Sequence, residues 1–134
     1  MAVGMVSTLR NARAQTIIDA IDAGTGAGEI NFYDGTKPAT GGAVTNLIGT
    51  CTLSDPCATI SNGVLTFDTI SDDVAADATG VITWCRIVDS DSNTVIDMDC
   101  GEGGSGAAVI FNTTSAQAGG VITILSGSLT EGNS

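Results

Sequence analysis

The stretch DSDSN, residues 89–93, sets Asp89, Asp91 and Asn93 at alternate positions, which is how the first oxygen ligands of a calcium loop stand. The match ends there. The sixth position of such a loop needs Gly and holds Thr94, and the twelfth needs a bidentate Glu and holds Cys100. The segment therefore reads as the tip of a β-hairpin. A second acidic run, SDDVAADATG, brings Asp72, Asp73 and Asp77 close together in sequence and reads as a solvated loop. Four cysteines, Cys51, Cys57, Cys85 and Cys100, follow no paired CxxC spacing, and the chain has no His, so a structural metal is not expected. The Gly-rich runs GTGAG and GEGGSG lack the GK[ST] ending of a phosphate loop, and the first follows a helical stretch where the motif needs a helix to come after. Nucleophilic catalysis has no base to draw on. Cys85 has Arg86 beside it, but neighbours on a strand point to opposite faces. The expectation is a non-enzyme with no cofactor and no catalytic residue.

What remains is surface. Trp84 and Arg86 are the residue types most enriched at binding hot spots, and on a strand both project from one face. With the other three basic residues, Arg10, Arg13 and Lys37, they make up the interface candidates. For Trp84 the competing role is core filler beneath the N-terminal helix or a second sheet, because the chain has only one Trp, one Tyr and three Phe. Fifteen acidic residues against four basic ones give a net charge of −11, which repels phosphate backbones and anionic lipid. Neither nucleic acid nor membrane is an expected partner. Arg10, Arg13 and Lys37 all lie in the first third, so a partner met by that segment should be acidic.

The elements that must carry these residues are mostly strands. The 134 residues make one domain, 1–134, with a thin core of Val, Ile, Leu and Ala. Ser7 or Thr8 caps a helix over 8–23, with Leu9, Ala12, Thr16, Ile17, Ala20 and Ile21 on one stripe and Gly24 as its stop. It is expected to be either a lid on a sheet or an arm docking on a neighbouring subunit. From 29 to 130 the period is two, with strands near 29–34, 44–53, 64–70, 80–89, 94–100, 107–112 and 121–130. That pattern predicts an antiparallel β-sandwich or jelly roll of about seven to eight strands. The terminal EGNS reads as a frayed end.

Within VITWCRIVDSDSNTVIDMD, a tip at Asp91 and Ser92 fixes the register: Ile87 faces Ile96, Cys85 faces Met98 and Thr83 faces Cys100 on an apolar face. On the other face Trp84 meets Asp99, and Arg86 meets Asp97 in an ion pair. Cys85 and Cys100 are then diagonal neighbours, roughly 7 to 8 Å apart, and free thiols are expected, a bridge needing a two-residue register shift. In EINFYDGTKPATGG, residues 29–42, Ile30 and Phe32 alternate inward. Asp34 and Gly35 begin a turn, and Thr36-Lys37-Pro38 is too poor in backbone donors and positive charge to hold a phosphate.

Several motifs in order, INFYDGTKPATGG, GVLTFDTISDDVAADATGVITWCRIVDSDSNTVIDMDCG, FNTTS and AGGVITI, resemble a family of small virion proteins of tailed bacteriophages, regarded as capsid decoration or cement proteins. The resemblance spans about Thr8 to Thr130. It implies a β-sandwich on the outer surface of the capsid that clamps neighbouring capsomers, with the major capsid protein as partner. A second copy of the chain is the other expected partner, a dimer being favoured. The resemblance implies no catalytic residues. The start MAVGMVSTLRNARAQ lacks the continuous apolar core of a signal peptide and no apolar run approaches a membrane span, so synthesis in the host cytoplasm is expected. Cys51, Cys57 and Cys100 depart from the family's pattern, so any disulfide would be particular to this chain. The competing expectation is a carbohydrate-binding or fibre-type virion module for host adhesion, against which the scarcity of aromatic residues weighs.

Overall fold

The computed structural model describes residues 4–130, so the terminal EGNS lies outside the described residues. One helix, α1 (Ser7–Ile21), precedes ten strands: β1 (Glu29–Tyr33), β2 (Leu47–Thr52), β3 (Ala58–Ser61), β4 (Val64–Phe67), β5 (Gly80–Val81), β6 (Trp84–Val88), β7 (Thr94–Glu102), β8 (Val109–Phe111), β9 (Ser115–Ala116) and β10 (Ile124–Thr130). Eight of them form one sheet in the order β2-β1-β6-β7-β8-β10-β4-β3, and β5 pairs with β9 alone. The fold class is mainly β with one N-terminal helix, as the periodicity predicts. Every neighbouring pair is antiparallel except β7 with β8, which is parallel. A two-sheet jelly roll does not follow from this strand order.

The sheet is curled. Phe32 on β1 and Phe111 on β8 are three strands apart, roughly 14 Å along a flat sheet, yet their rings meet edge to face at 5.2 Å and 79°. The curl wraps a core of Ile30, Phe32, Ile48, Leu65, Cys85, Ile87, Val109 and Phe111. The outer edge of β2 does not stay open. Ser71 N donates to Thr52 O, Thr50 N to the Asp73 carboxylate, and Asp77 N to Ile48 O, so residues 71–77 cover the edge as an irregular extra strand. Gly49 makes this approach feasible, since a Cβ there would lie 2.5 Å from the Ile122 side chain and 2.6 Å from the Asp73 carboxylate.

Two features of α1 correct the sequence expectation. The N-cap is Val6, with no side-chain hydrogen bond, so neither Ser7 nor Thr8 caps it; both lie inside the first turn. Of the expected stripe, Ile21 is buried and Ile17 half-buried, while Leu9, Ala12, Thr16 and Ala20 face solvent; Ala14 and Ile18 complete the buried face. The two stripes share Ile21 and both have helical spacing, and burial goes to the one that inserts Ile18 beside it. The helix ends at Ile21, with Gly24 just beyond in the left-handed region (φ +93°).

The seven expected strands are all represented near their expected places, but the structure has ten strands rather than seven to eight. The expected 80–89 strand is broken at Ile82 and Thr83 into β5 and β6, and β3 and β9, which the periodicity does not reveal, are added. Residues 53–57 carry the chain from β2 to β3 through a cis Asp55-Pro56 bond.

Candidate functional site

Over Trp84–Ile87 the β6–β7 hairpin has the register read from its sequence: Trp84 opposite Asp99, Cys85 opposite Met98, Arg86 opposite Asp97 and Ile87 opposite Ile96, with Cys100 N donating to Thr83 O. Beyond Ile87 the register shifts by one, so Val88 faces Thr94, Asp89 N donates to Asn93 O, and the expected two-residue tip at Asp91 and Ser92 is not formed. The tip is stabilised by the Asp89 carboxylate, which accepts hydrogen bonds from Asp91 N, Asn93 N and Asn93 Nδ2. These bonds hold the Asp89 carboxyl below the usual carboxylate range, Asn93 contributing most. The residues that began as a calcium loop thus serve as an Asx-type turn, with Ser92 at φ +66°. Asp73, in the other acidic run, ties its loop to β2 through Thr50 N and bonds Ala75 N.

On the outer face of β1 and β6, Tyr33 stands directly opposite Trp84 and the two rings stack at 4.5 Å and 20°. The Arg86 guanidinium lies 5.4 Å from the Trp84 ring centre. Arg86 donates to both Asp97 carboxylate oxygens, from Nε at 2.7 Å and Nη2 at 2.9 Å, and Nη2 also donates to Gly42 O at 2.9 Å. Gly41 N completes the set by donating to Asp97 at 3.0 Å. Arg86 outweighs burial and holds the Asp97 carboxyl below its ordinary value, while Asp97 raises Arg86. Burial pushes the Tyr33 phenol up.

These groups are covered by the chain between β1 and β2, residues 34–46, which folds over them as a lip. Trp84 Nε1 donates to Asp34 O and Thr45 Oγ1. Asn46 donates to both Asp34 carboxylate oxygens from its backbone and side chain, which holds the Asp34 carboxyl low, and Thr83 Oγ1 donates to Gly35 O. The lip is therefore fastened at its base by the Asp34–Asn46 bonds and by Trp84, which bonds Asp34 O and Thr45 Oγ1, and at its far turn by Arg86 and Asp97. Its crest, Gly35–Lys37 and Ala39–Gly41, is exposed.

Of the interface candidates, Trp84 is fully buried and Arg86 nearly so. The core role of Trp84 is the one observed, with the lip as its cover in place of a helix or second sheet. Lys37 is exposed on the crest. Arg10 and Arg13 stand elsewhere, on α1, which packs against the opposite, core-facing side of the sheet. Arg10 lies across Gly63 at the β3–β4 turn, close enough that a Cβ there would fall 2.6 Å from its guanidinium carbon, and Arg13 Nη1 approaches Met5 Sδ at 3.1 Å. Strand register in the sequence points to Asp97 as the partner of Arg86 but not to Tyr33, Asp34, Thr45 and Asn46. Adjacent bulky residues Phe32 and Tyr33, one for each face of β1, were the signal that the outer face is also covered.

The thiols are buried apart from Cys100, which is half-buried, and all four are free. Burial pushes Cys51 and Cys57 up to about 12. Cys85 is raised by its contact with the Cys100 thiol and then by burial.

No protein-family model matches the chain, and neither a curated protein nor a solved structure is similar to it.

Proposed function

We propose that this chain is a structural virion protein that decorates the outer surface of a tailed-bacteriophage capsid and clamps neighbouring capsomers, with no catalytic step. The observation that carries the reading is the pinned lip. Its sequence, within EINFYDGTKPATGG, is one of the motifs by which the chain resembles capsid decoration proteins. Its polar and aromatic groups hold the loop on the sheet and leave a fixed, exposed crest around Lys37. A loop ordered before binding loses little conformational freedom on docking, which favours recognition by shape. A shell offers many equivalent sites, so a modest contact to two capsomers, or to one capsomer and a second copy of this chain, gains avidity from geometry. The partners are then the major capsid protein and a like subunit, and the location is the capsid exterior after synthesis in the host cytoplasm.

All five aromatic rings of the chain, Phe32, Tyr33, Phe67, Trp84 and Phe111, are buried, which leaves a glycan-adhesion module no ring on which to stack a sugar. The test is to add the purified protein to shells assembled without it and to record shell melting by calorimetry and the position of the added density by cryo-electron microscopy. The expected result is a higher melting temperature with density across capsomer boundaries. Density at the tail alone, or no bound protein, overturns the proposal.

A further inference from the structure

Strands β4 and β10 run antiparallel but pair only where Val64–Thr66 meets Ser128–Thr130. The same two segments meet again further along. There Asp73 and Ile122 exchange backbone hydrogen bonds of 3.1 and 2.7 Å, followed by Ala76 N to Gly120 O and Gly119 N to Ala76 O, both 2.8 Å. Between the paired stretches the chains part, with residues 67–72 on one side and 123–127 on the other. The cause is visible in the hydrogen bonds: Asp68 N donates to Cys57 O and Ser71 N to Thr52 O, which draws the chain after β4 toward the 52–57 connection. β10 does not follow, because Ile124–Gly127 are held on their other edge by β8.

The result is an opening in the middle of a sheet, a cleft of about 500 Å³ lined by Phe67–Ile70 and Ile124–Gly127. One end is closed by the Phe67 ring against Gly127, where an added Cβ would lie 3.0 Å from the ring. The other end is closed by the Asp73–Ile122 bridge. Among the described residues Ile124–Gly127 have no strand partner on the cleft side; they belong to β10, with an irregularity at Leu125, the residue left between the Ile124–Phe111 and Ser126–Ile110 pairs. An uncovered edge presents unpaired backbone N–H and C=O groups, and a bulge leaves one residue out of their regular alternation.

We propose that this cleft accepts an extended peptide segment of another protein chain, added as a short strand beside Ile124–Gly127. Strand addition supplies affinity through main-chain hydrogen bonds and specificity through alternate side chains, and the cleft volume lies within the range of about 300–1,000 Å³ typical of built sites. A gap of five residues at ~3.3 Å each admits roughly four residues of strand, so the guest is a chain end or a loop rather than a long edge. Leu125, 60% exposed, and the half-buried Ile70 give its walls apolar surface, and the exposed Asp68 carboxylate favours a basic side chain in the guest. The site is separate from the lip, and it stands whether or not the chain decorates a shell.

The test uses the full chain, labelled with ¹⁵N, titrated at millimolar concentrations with the capped tetrapeptide acetyl-Val-Lys-Val-Thr-amide, whose residues combine strand propensity with one cation. The expected result is saturable amide shift changes confined to residues 67–70 and 123–127, lost when the peptide is N-methylated at alternate residues. No shift at these concentrations, shifts scattered elsewhere, or equal binding of the N-methylated peptide each overturn the proposal.

Discussion

Asp97 accepts hydrogen bonds from Arg86 Nε, Arg86 Nη2 and Gly41 N, and its side chain has no exposure to solvent. A pair this enclosed differs in kind from a surface ion pair. Its attraction must offset the desolvation of two charges, and removing one partner leaves the other buried and uncompensated. Asp97→Ala should therefore destabilise the protein by about 3 to 5 kcal/mol. The double substitution Arg86→Met with Asp97→Leu should recover most of the loss, because apolar groups of similar volume can replace a buried pair at little cost. Urea unfolding followed by circular dichroism measures both, and Trp84 fluorescence should shift to the red in the single variant as the lip lifts. A loss below about 1 kcal/mol in the single variant would place the pair with ordinary exposed ones and remove it as the fastening of the lip.

Element by element, the sequence was most legible where local rules agreed. The β6–β7 hairpin has a short polar tip, one apolar face and one polar face, and a slip by one residue would exchange them, so its register is legible over Trp84–Ile87, whereas the shift after Ile87 that resets the tip is not. The parallel β7–β8 pair was not legible. It depends on a return within residues 103–108, made feasible by left-handed glycines at Gly104 and Gly106, and it overlaps only at Cys100–Glu102. The lip was legible as a loop but not as a cover, because its hydrogen bonds join residues far apart in sequence. In α1 two apolar stripes meet at Ile21, and helical spacing alone does not choose between Leu9, Ala12 and Thr16 on one and Ala14 and Ile18 on the other; tertiary packing does. The observed choice has a measurable consequence. Ile18→Ala, in the core cluster beside Ala14 and Ile21, should cost about 2 to 5 kcal/mol, whereas Leu9→Ala, at a position 48% exposed, should change stability by no more than about 0.5 kcal/mol. Equal losses in chemical denaturation would return burial to the Leu9 stripe.

Across the whole molecule, two electrostatic effects oppose each other as pH falls. The net charge of −11 means that protonating exposed carboxylates relieves self-repulsion, which favours the compact state. Against this, Asp34, Asp89 and Asp97 have carboxyl groups held low in the fold, so they bind protons less readily folded than unfolded. The stability they contribute is fully present above the unfolded value, about 3.9, and is lost as pH falls through their lower folded values. The melting temperature should accordingly stay level or rise slightly from neutral pH toward about 4.5, then fall steeply below about 3.9. Salt separates the two effects. Repulsion between exposed charges is screened at about 1 M salt, where the Debye length is about 3 Å, while the enclosed Arg86–Asp97 pair is screened much less. In thermal melts at high salt the rise toward pH 4.5 should vanish and the acid loss should remain, and Asp97→Asn should make that loss shallower. A melting temperature that continues to rise through pH 3 would mean that relief of repulsion outweighs the carboxylates fastening the lip and the hairpin tip.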